Sequence, residues 1–203
     1  MKLYFHYCAF GFSNCYVVGS DEDSRDAVII DPGCMDEQLL GYIENNNYNL
    51  RAVLITHDHL GHVHGLRTLK RIYQPDIYAI NLTIQDIKTN QVKDGDKLTV
   101  GALTAEVISV PGHSADSAVY QIGNLLFCGD VLTAGLVGTT DSAYGAATQM
   151  NKLRSRLLSL PGDYTVLPGH GPPSSLEAER RFNVSINKYD EKQTRKPAFR
   201  ISL

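Results

Sequence analysis

The stretch VLITHDHLGHVHG, Val53 to Gly65, places four of the chain's seven histidines within eight positions, directly after a short apolar run. His57 and His59 follow a predicted strand that ends at Thr56. His62 falls three residues further on, where the next helix is expected to start. Two imidazoles at i and i+2 on a turn can converge on one ion, and a third on a first helical turn can face the same cavity from another direction. A lone histidine reads more simply as a packed ring, but a cluster at a strand end reads as a ligand set. His64, two positions beyond His62 and so on roughly the opposite helical face, reads as structural.

Working outward, three later stretches repeat the same grammar of strand, glycine-bearing turn and metal-type residue. They are VPGHSADS with His113, LLFCGDVL with Asp130, and VLPGHGPP with His170. Taken singly, His113 or His170 could be a turn residue packing its ring, and Asp130 could cap the turn after Gly129. Taken together, each puts a donor at a strand end, and in α/β proteins strand ends form the site face, so several loops converging on one ion is the expected build.

The rest of the chain supplies the scaffold. Nine β-rich runs recur: LYF at Leu3, CYVV at Cys15, AVIID at Ala27, AVLIT at Ala52, IYAI at Ile77, AEVISV at Ala105, AVYQI at Ala118, LLFC at Leu125 and YTVLP at Tyr164. Four segments carry helical periodicity. The first has Met35, Leu39, Leu40 and Ile43 behind an acidic turn of Asp36 and Glu37, and the second has Val63, Leu66, Leu69 and Ile72. The third lines up Met150, Leu153, Leu157 and Leu158 and stops at Pro161–Gly162. The fourth opens with a capping box from Ser174 to Glu177. Helices both between strands and after runs of strands indicate a layered α/β protein with a mixed sheet or two sheets.

Composition narrows the classes of function. A chain of 203 residues is expected to form one domain spanning 1–203, with 190–203 a charged surface tail, interrupted by Pro197, or a contact for a partner chain. With 19 Lys+Arg against 22 Asp+Glu, a net charge of −3 and no basic stripe, nucleic acid is a poor partner. No apolar run approaches the roughly 18 residues of a membrane span. The start MKLYFHYCAFGF reads as a first strand and not as a secretory leader. Cys8, Cys15, Cys34 and Cys128 show no CxxC spacing and no disulfide framework, which fits a reducing, cytoplasmic compartment.

THDHLGH, PGHSADS, FCGD and LPGHGP, in that order, resemble the metallo-β-lactamase superfamily, and within it the small glyoxalase II-like (hydroxyacylglutathione hydrolase-like) members. IIDPG at Ile29, GDVLTAGLVGTTD at Gly129, LRSRLLSLPGDYTVLPGHGP and the following EAERR extend the likeness over nearly the whole chain. The resemblance implies a four-layer αβ/βα sandwich with metals at one end between two sheets. It also implies that His57, His59 and His113 bind a first metal, that Asp130 bridges, and that His62 and His170 serve a second.

The chain departs from that pattern at Gly61, which stands where the family motif H-x-H-x-D-H carries the Asp that serves the second metal and orients the water. The second set therefore keeps His62, His170 and the shared Asp130, and losing an anionic ligand weakens it. The expectation is one tight metal, Zn(II) or else Fe(II) or Mn(II), with a second ion weak or absent. Asp58 lies next to Gly61's loop but between two ligands, where its side chain is expected to diverge from the site. Asp31 in DPG reads as the first residue of a turn, with support of the site loops as its alternative role. Longer glyoxalase II enzymes continue into a glutathione-binding helical domain that this chain does not match, so recognition of glutathione is in question.

A bound metal lowers the pKa of its water from about 15.7 to about 7 and polarises a carbonyl, which is the chemistry of hydrolysis, with no protein base required. A leaving thiolate has a conjugate-acid pKa of about 8.5, so a thioester suits such a site better than an amine-releasing β-lactam. Phosphodiester cleavage more often clamps its oxygens between two ions, which Gly61 erodes. The expected substrate is thus a small-molecule thioester of the hydroxyacylglutathione type. Two rivals remain. His57, His113 and Asp130 are also a two-histidine, one-carboxylate set of the kind that binds Fe(II) in persulfide dioxygenases, and the site could instead be a non-catalytic, metal-stabilised scaffold. Substrate contacts are expected from Gly135–Ala147 and the C-terminal segment; the oligomeric state is open.

Overall fold

The computed structural model describes residues 1–194. Its core is built on two six-stranded mixed sheets. The first contains β1 (Lys2–Cys8), β2 (Ser13–Gly19), β3 (Asp26–Ile30), β4 (Asn49–Leu54) and β5 (Asp76–Ala79). A small hairpin of β6 (Thr83–Ile84) and β7 (Ile87–Lys88) precedes its edge strand, β8 (Asn90–Gln91). The spatial order is β1-β2-β3-β4-β5-β8, antiparallel as far as β3 and parallel beyond it.

The second sheet comprises β9 (Lys97–Val100), β10 (Leu103–Ser109), β11 (Ala118–Ile122) and β12 (Leu125–Gly129). After a hairpin of β13 (Leu132–Thr133) and β14 (Leu136–Val137), it adds β15 (Thr165–Pro168) and β16 (Ser174–Ser175). Its order is β16-β15-β12-β11-β10-β9, and only the β12–β15 pair is parallel.

Period-two alternation sorts the side chains into three apolar layers. In β3, Ala27 and Ile29 face one way, toward Leu39 and Ile43 of helix α1 (Glu37–Glu44) and Leu66 and Leu69 of helix α3 (Leu66–Tyr73). Val28 and Ile30 face the other way, toward Tyr120 and Phe127 of the second sheet. On that sheet's far side, Leu126 and Cys128 of β12 meet Met150, Leu153 and Leu157, with Leu176 and Ile186. These last come from α4 (Ala143–Lys152) and the π-helical turn Leu153–Leu157 that continues it, α5 (Leu176–Phe182) and α6 (Val184–Thr194). Helix, sheet, sheet and helix are the four layers of an αβ/βα sandwich.

Several local readings change. The second periodic segment is two helices, α2 (Leu60–Val63) and α3, separated at His64–Gly65, where the Gly65 N–H donates to the Pro32 carbonyl; Ile72 is exposed. Helix α4 starts earlier than its apolar stripe suggests, at a Ser142 cap that accepts from the Gly145 N–H. The cap of α5 is Ser175, which accepts from the Ala178 N–H, because Ser174 pairs with Val166 and turns its hydroxyl to Glu179. Helix α6 runs through Thr194, across the first residues of the expected 190–203 tail; the remainder of that tail lies outside the described residues.

The two sheets are fastened together at the end where β4, β12 and β15 finish. Asn14 N–H and Nδ2 donate to the Gly169 and Pro168 carbonyls, and the Tyr16 hydroxyl also reaches Pro168 at 2.7 Å. Ala118 N–H donates to the Thr56 carbonyl and the Tyr120 hydroxyl to Ile55. Strand ends from both sheets are thereby locked within reach of one another.

Candidate metal centre

Each donor follows a strand. His57 and His59 follow β4, His113 follows β10, Asp130 follows β12 directly and His170 follows β15, while His62 lies on the single turn of α2. The folded chain brings the donor atoms of His57, His59, His113 and Asp130 within 4.8 Å of one another, and likewise those of His62, Asp130 and His170. Asp130 belongs to both sets. Its Oδ2 lies 3.5 Å from His113 Nε2, 3.8 Å from His57 Nε2 and 3.4 Å from His170 Nε2, and its Oδ1 lies 3.4 Å from His62 Nε2.

The hydrogen bonds behind the rings assign which nitrogen faces inward. His113 Nδ1 donates to the Thr139 carbonyl at 2.8 Å and His170 Nδ1 to the Phe12 carbonyl at 2.9 Å. His62 Nδ1 donates to Asp31 Oδ2 at 3.1 Å. The Thr56 hydroxyl donates to Asp31 Oδ2 at 2.5 Å and so accepts from His57 Nδ1 at 3.0 Å. All four rings then aim Nε2 into the centre. His59 instead presents Nδ1, 2.9 Å from His57 Nε2 and 3.1 Å from His113 Nε2.

Three imidazole nitrogens face one another at those distances, with the tautomers of His57 and His113 already fixed by outward hydrogen bonds. Lone pairs so placed repel unless a cation or a proton lies between them. Asp130 Oδ1 is buried without a hydrogen-bond partner of good geometry, a second sign of a ligand atom. The residues fit a divalent ion in the His57, His59, His113 and Asp130 set.

Charge separates the two sets. Burial and the neighbouring His62 drive His57 down to about 2, so it is neutral with its lone pair free. Burial opposes protonation of His62 too, but hydrogen bonds to Asp130 and Asp31 overcome it and raise this ring to about 10. Burial raises Asp130, yet the bonds from His170 and His62 outweigh it and hold the carboxyl well below the usual range. His170 is likewise raised by Asp130. Without metal, the second set holds a proton where the first offers lone pairs.

Gly61 sits at the closest approach of two loops. A Cβ built on it would lie 3.3 Å from Gly11 Cα, and one on Gly11, at φ +74°, would lie 2.5 Å from Gly61 Cα. The β1–β2 turn thus rests on the position where the family pattern has its carboxylate. Ser13 Oγ, just past the turn, donates to the Gly61 carbonyl at 2.6 Å. Gly169 meets the same constraint on the other side, since its Cβ would lie 2.5 Å from both Asp130 Oδ1 and His62 Cε1.

Asp58 is exposed and belongs to neither set, while its N–H donates to Asp116 Oδ2 at 3.0 Å. His64 stacks on Phe10 with ring centroids 4.0 Å apart. Asp31 is more than a turn residue. Buried and at φ +50°, it accepts from Thr56 N–H, Thr56 Oγ1 and His62 Nδ1, so one carboxylate orients a ring of each set. Its position one residue past β3, beside the β4 end that carries the histidines, was the available signal in the sequence. The Thr139 and Phe12 carbonyls left none, because any residue type supplies a carbonyl. A cavity of about 440 Å³ opens beside His113, lined in part by Pro111, Ser114, Asp141 and Tyr144. The expected 135–147 loop therefore does border the centre.

Residues 8–170 match the sequence profile of the metallo-beta-lactamase superfamily. The chain belongs to that superfamily. It is 30% identical over 200 residues to hydroxyacylglutathione hydrolase GloC of Haemophilus influenzae, covering 86% of this chain and 92% of that protein. It is 36% identical over 164 residues to a hydroxyacylglutathione hydrolase of Chromohalobacter salexigens, covering 78% of this chain and 63% of that protein. Among solved structures, it superposes on ETHE1 from Myxococcus xanthus with a TM-score of 0.82 at 27% identity, covering 97% of this chain and 92% of that one. Among the described residues, no helix is long and apolar enough to cross a membrane.

Proposed function

We propose that this superfamily member is a metal-dependent hydrolase of small thioesters of the hydroxyacylglutathione type. The observation that carries the reading is the complete set of three inward-facing imidazole nitrogens and one carboxylate, on a chain similar to two hydroxyacylglutathione hydrolases. Zn(II) suits such a nitrogen-rich set, with Fe(II) and Mn(II) as alternatives. His57, His59, His113 and Asp130 would hold the tight ion, and His62, His170 and Asp130 a weak one. A divalent ion there supplies Lewis acidity and a water of lowered pKa.

The protein's own part is positional. Thr139, Thr56 and Asp31 fix the ring tautomers before any ion arrives, so little reorganisation remains on loading. Asp130 brings the only negative charge common to both sets and stays ionised across the physiological range. The cavity beside His113 is wide enough for a small acyl group and borders the donor set. A thiolate leaves readily without a protein acid, so the reaction does not depend on a proton from either donor set.

The test pairs metal content after purification without added metal with a thioester panel that includes S-lactoylglutathione. At the Asp130 centre, one tightly held zinc and release of free thiol, both abolished in His113→Ala, are expected. Iron with oxygen uptake on glutathione persulfide would replace the reading with the dioxygenase one. Retained metal with no turnover of ester, thioester or persulfide would leave a scaffold. Two equivalents that survive a mild chelator and are both lost in His113→Ala would refute the single tight ion at this centre.

A further inference from the structure

Two of the four cysteines, Cys8 and Cys34, converge with His6 behind the metal centre. β1 turns His6 and Cys8 inward on the same face, two residues apart, and the segment before α1 delivers Cys34 and Asp36 with the same spacing. Cys34 Sγ lies 2.8 Å from Cys8 Sγ, 3.2 Å from His6 Nε2 and 3.6 Å from Asp36 Oδ2. His6 Nε2 lies 2.9 Å from Asp36 Oδ2. The donor atoms of His6, Cys8 and Cys34 all fall within 4.8 Å of one another.

The arrangement is poorly explained as packing. His6 is 3% exposed with no partner for Nδ1, so the polar capacity of a buried ring is spent at Nε2, toward the sulfurs. Two sulfurs at 2.8 Å are closer than a relaxed S–H···S contact yet do not form a disulfide. The same crowding of donors occurs in the His57, His59 and His113 set. Asp36 divides its oxygens: Oδ1 caps α1 by accepting from the Leu39 N–H, which leaves Oδ2 for the cluster.

We propose a second, separate metal site, in which His6 Nε2, Cys8 Sγ and Cys34 Sγ bind a thiophilic divalent cation such as Zn(II), with Asp36 Oδ2 as the fourth donor. Two thiolates and one imidazole select a softer ion than magnesium or calcium, and Asp36 drawn in as a fourth donor would leave no open position and make the site structural. Each cysteine gives up its proton on binding.

The ion would tie the end of β1 to the loop before α1. That loop's Gly33 is packed so closely that a Cβ there would lie 2.1 Å from the Gly61 carbonyl oxygen and 2.4 Å from Ser13 Oγ. The tie therefore lies directly behind the β1–β2 turn that carries Phe12's carbonyl to His170 and Gly11 to Gly61. The ion would hold that turn in place.

The two sites can be told apart because the donor sets around Asp130 contain no sulfur. Reduced, metal-stripped protein titrated with Co(II) should develop a thiolate-to-cobalt charge-transfer band in the near ultraviolet whose final amplitude is that of one thiolate site. Cys34→Ser should lose most of that band and bind one equivalent of Zn(II) fewer than wild type, whereas His113→Ala should keep the band. Cys34 is only partly buried, so this variant remains informative should Cys8→Ser fail to fold. Absence of the band in the reduced protein, or its persistence in Cys34→Ser, overturns the proposal. A Cys8–Cys34 disulfide in the purified protein, with no band after reduction, overturns it in favour of a redox pair.

Discussion

Asp31→Asn tests the claim that one buried carboxylate aligns both ligand sets. Asn is the substitution of choice because Asp31 sits at φ +50°, a conformation Asn tolerates, so the backbone is preserved. The amide oxygen can keep the bond from Thr56 N–H, but the amide nitrogen then faces Thr56 Oγ1 and His62 Nδ1, 3.1 Å away in the wild type. An NH₂ against Nδ1 requires His62 to accept there and move its proton to Nε2, which removes the lone pair from the centre. Loss of such a partner costs about 10–100-fold in metal affinity, equivalent to about 1.4–2.7 kcal/mol. His62 is struck directly, while His57 is reached only through Thr56, so the weaker equivalent should lose more than the tight one. Competition titration with chelators of graded affinity reads both constants. Wild-type affinity at both, or a loss confined to the tight ion, would show that Asp31 does not set the His62 tautomer.

Gly61→Asp should tighten the second equivalent while lowering the thermal midpoint, since its Cβ lies 3.3 Å from Gly11 Cα and the turn must shift; an unchanged second constant would mean that the missing carboxylate is not what limits it. Gly11→Ala places a side chain at φ +74° and 2.5 Å from Gly61 Cα, so a urea midpoint lowered by at least about 1–2 kcal/mol of stability is expected from the backbone alone. In metal-stripped protein, His62 titrates at about 10 against 6.5 unfolded, so the stability it contributes is complete below pH 6.5 and is lost as pH rises toward 10. The thermal midpoint should therefore fall over that window more steeply in wild type than in Asp31→Asn; equal slopes would refute the assignment.

The strands that sequence patterning exposes are apolar runs buried on both faces, such as Ala27–Ile30 and Ala118–Ile122. β8 and β16 hold two residues each and β9 reads KLTV with a single fully buried side chain, so their pairing comes from neighbours and not from their own pattern. Periodicity joins Val63 to Leu66 because both are buried on one side, yet it cannot see that the chain breaks at Gly65 to meet Pro32. The donors were legible because imidazoles and carboxylates are rare at strand ends without a task. Their alignment was not, since it depends on the Thr139 and Phe12 carbonyls and on Asp31, whose role exists only once β3 and β4 lie side by side. The thiol cluster was hidden for the same reason: Cys8 and Cys34 are far apart in sequence and share no metal-binding spacing.

Gly61 alone does not explain an unequal pair of metal sets. Asp130 is the only carboxylate common to both, so an ion held by His57, His59 and His113 draws on the same negative charge that the second set needs. His62 enters that competition protonated, and an ion must displace the proton from between Asp31 and Asp130 before Nε2 can bind. His170 is 39% exposed, against 1% for His57, so water competes for it as well. An aspartate at position 61 would add charge to offset these losses, but the β1–β2 turn occupies its approach. Because Phe12 in that same turn orients His170, the backbone that excludes the carboxylate also builds part of the second set. The weakness expected of that set would thus be a property of the turn as much as of the missing side chain.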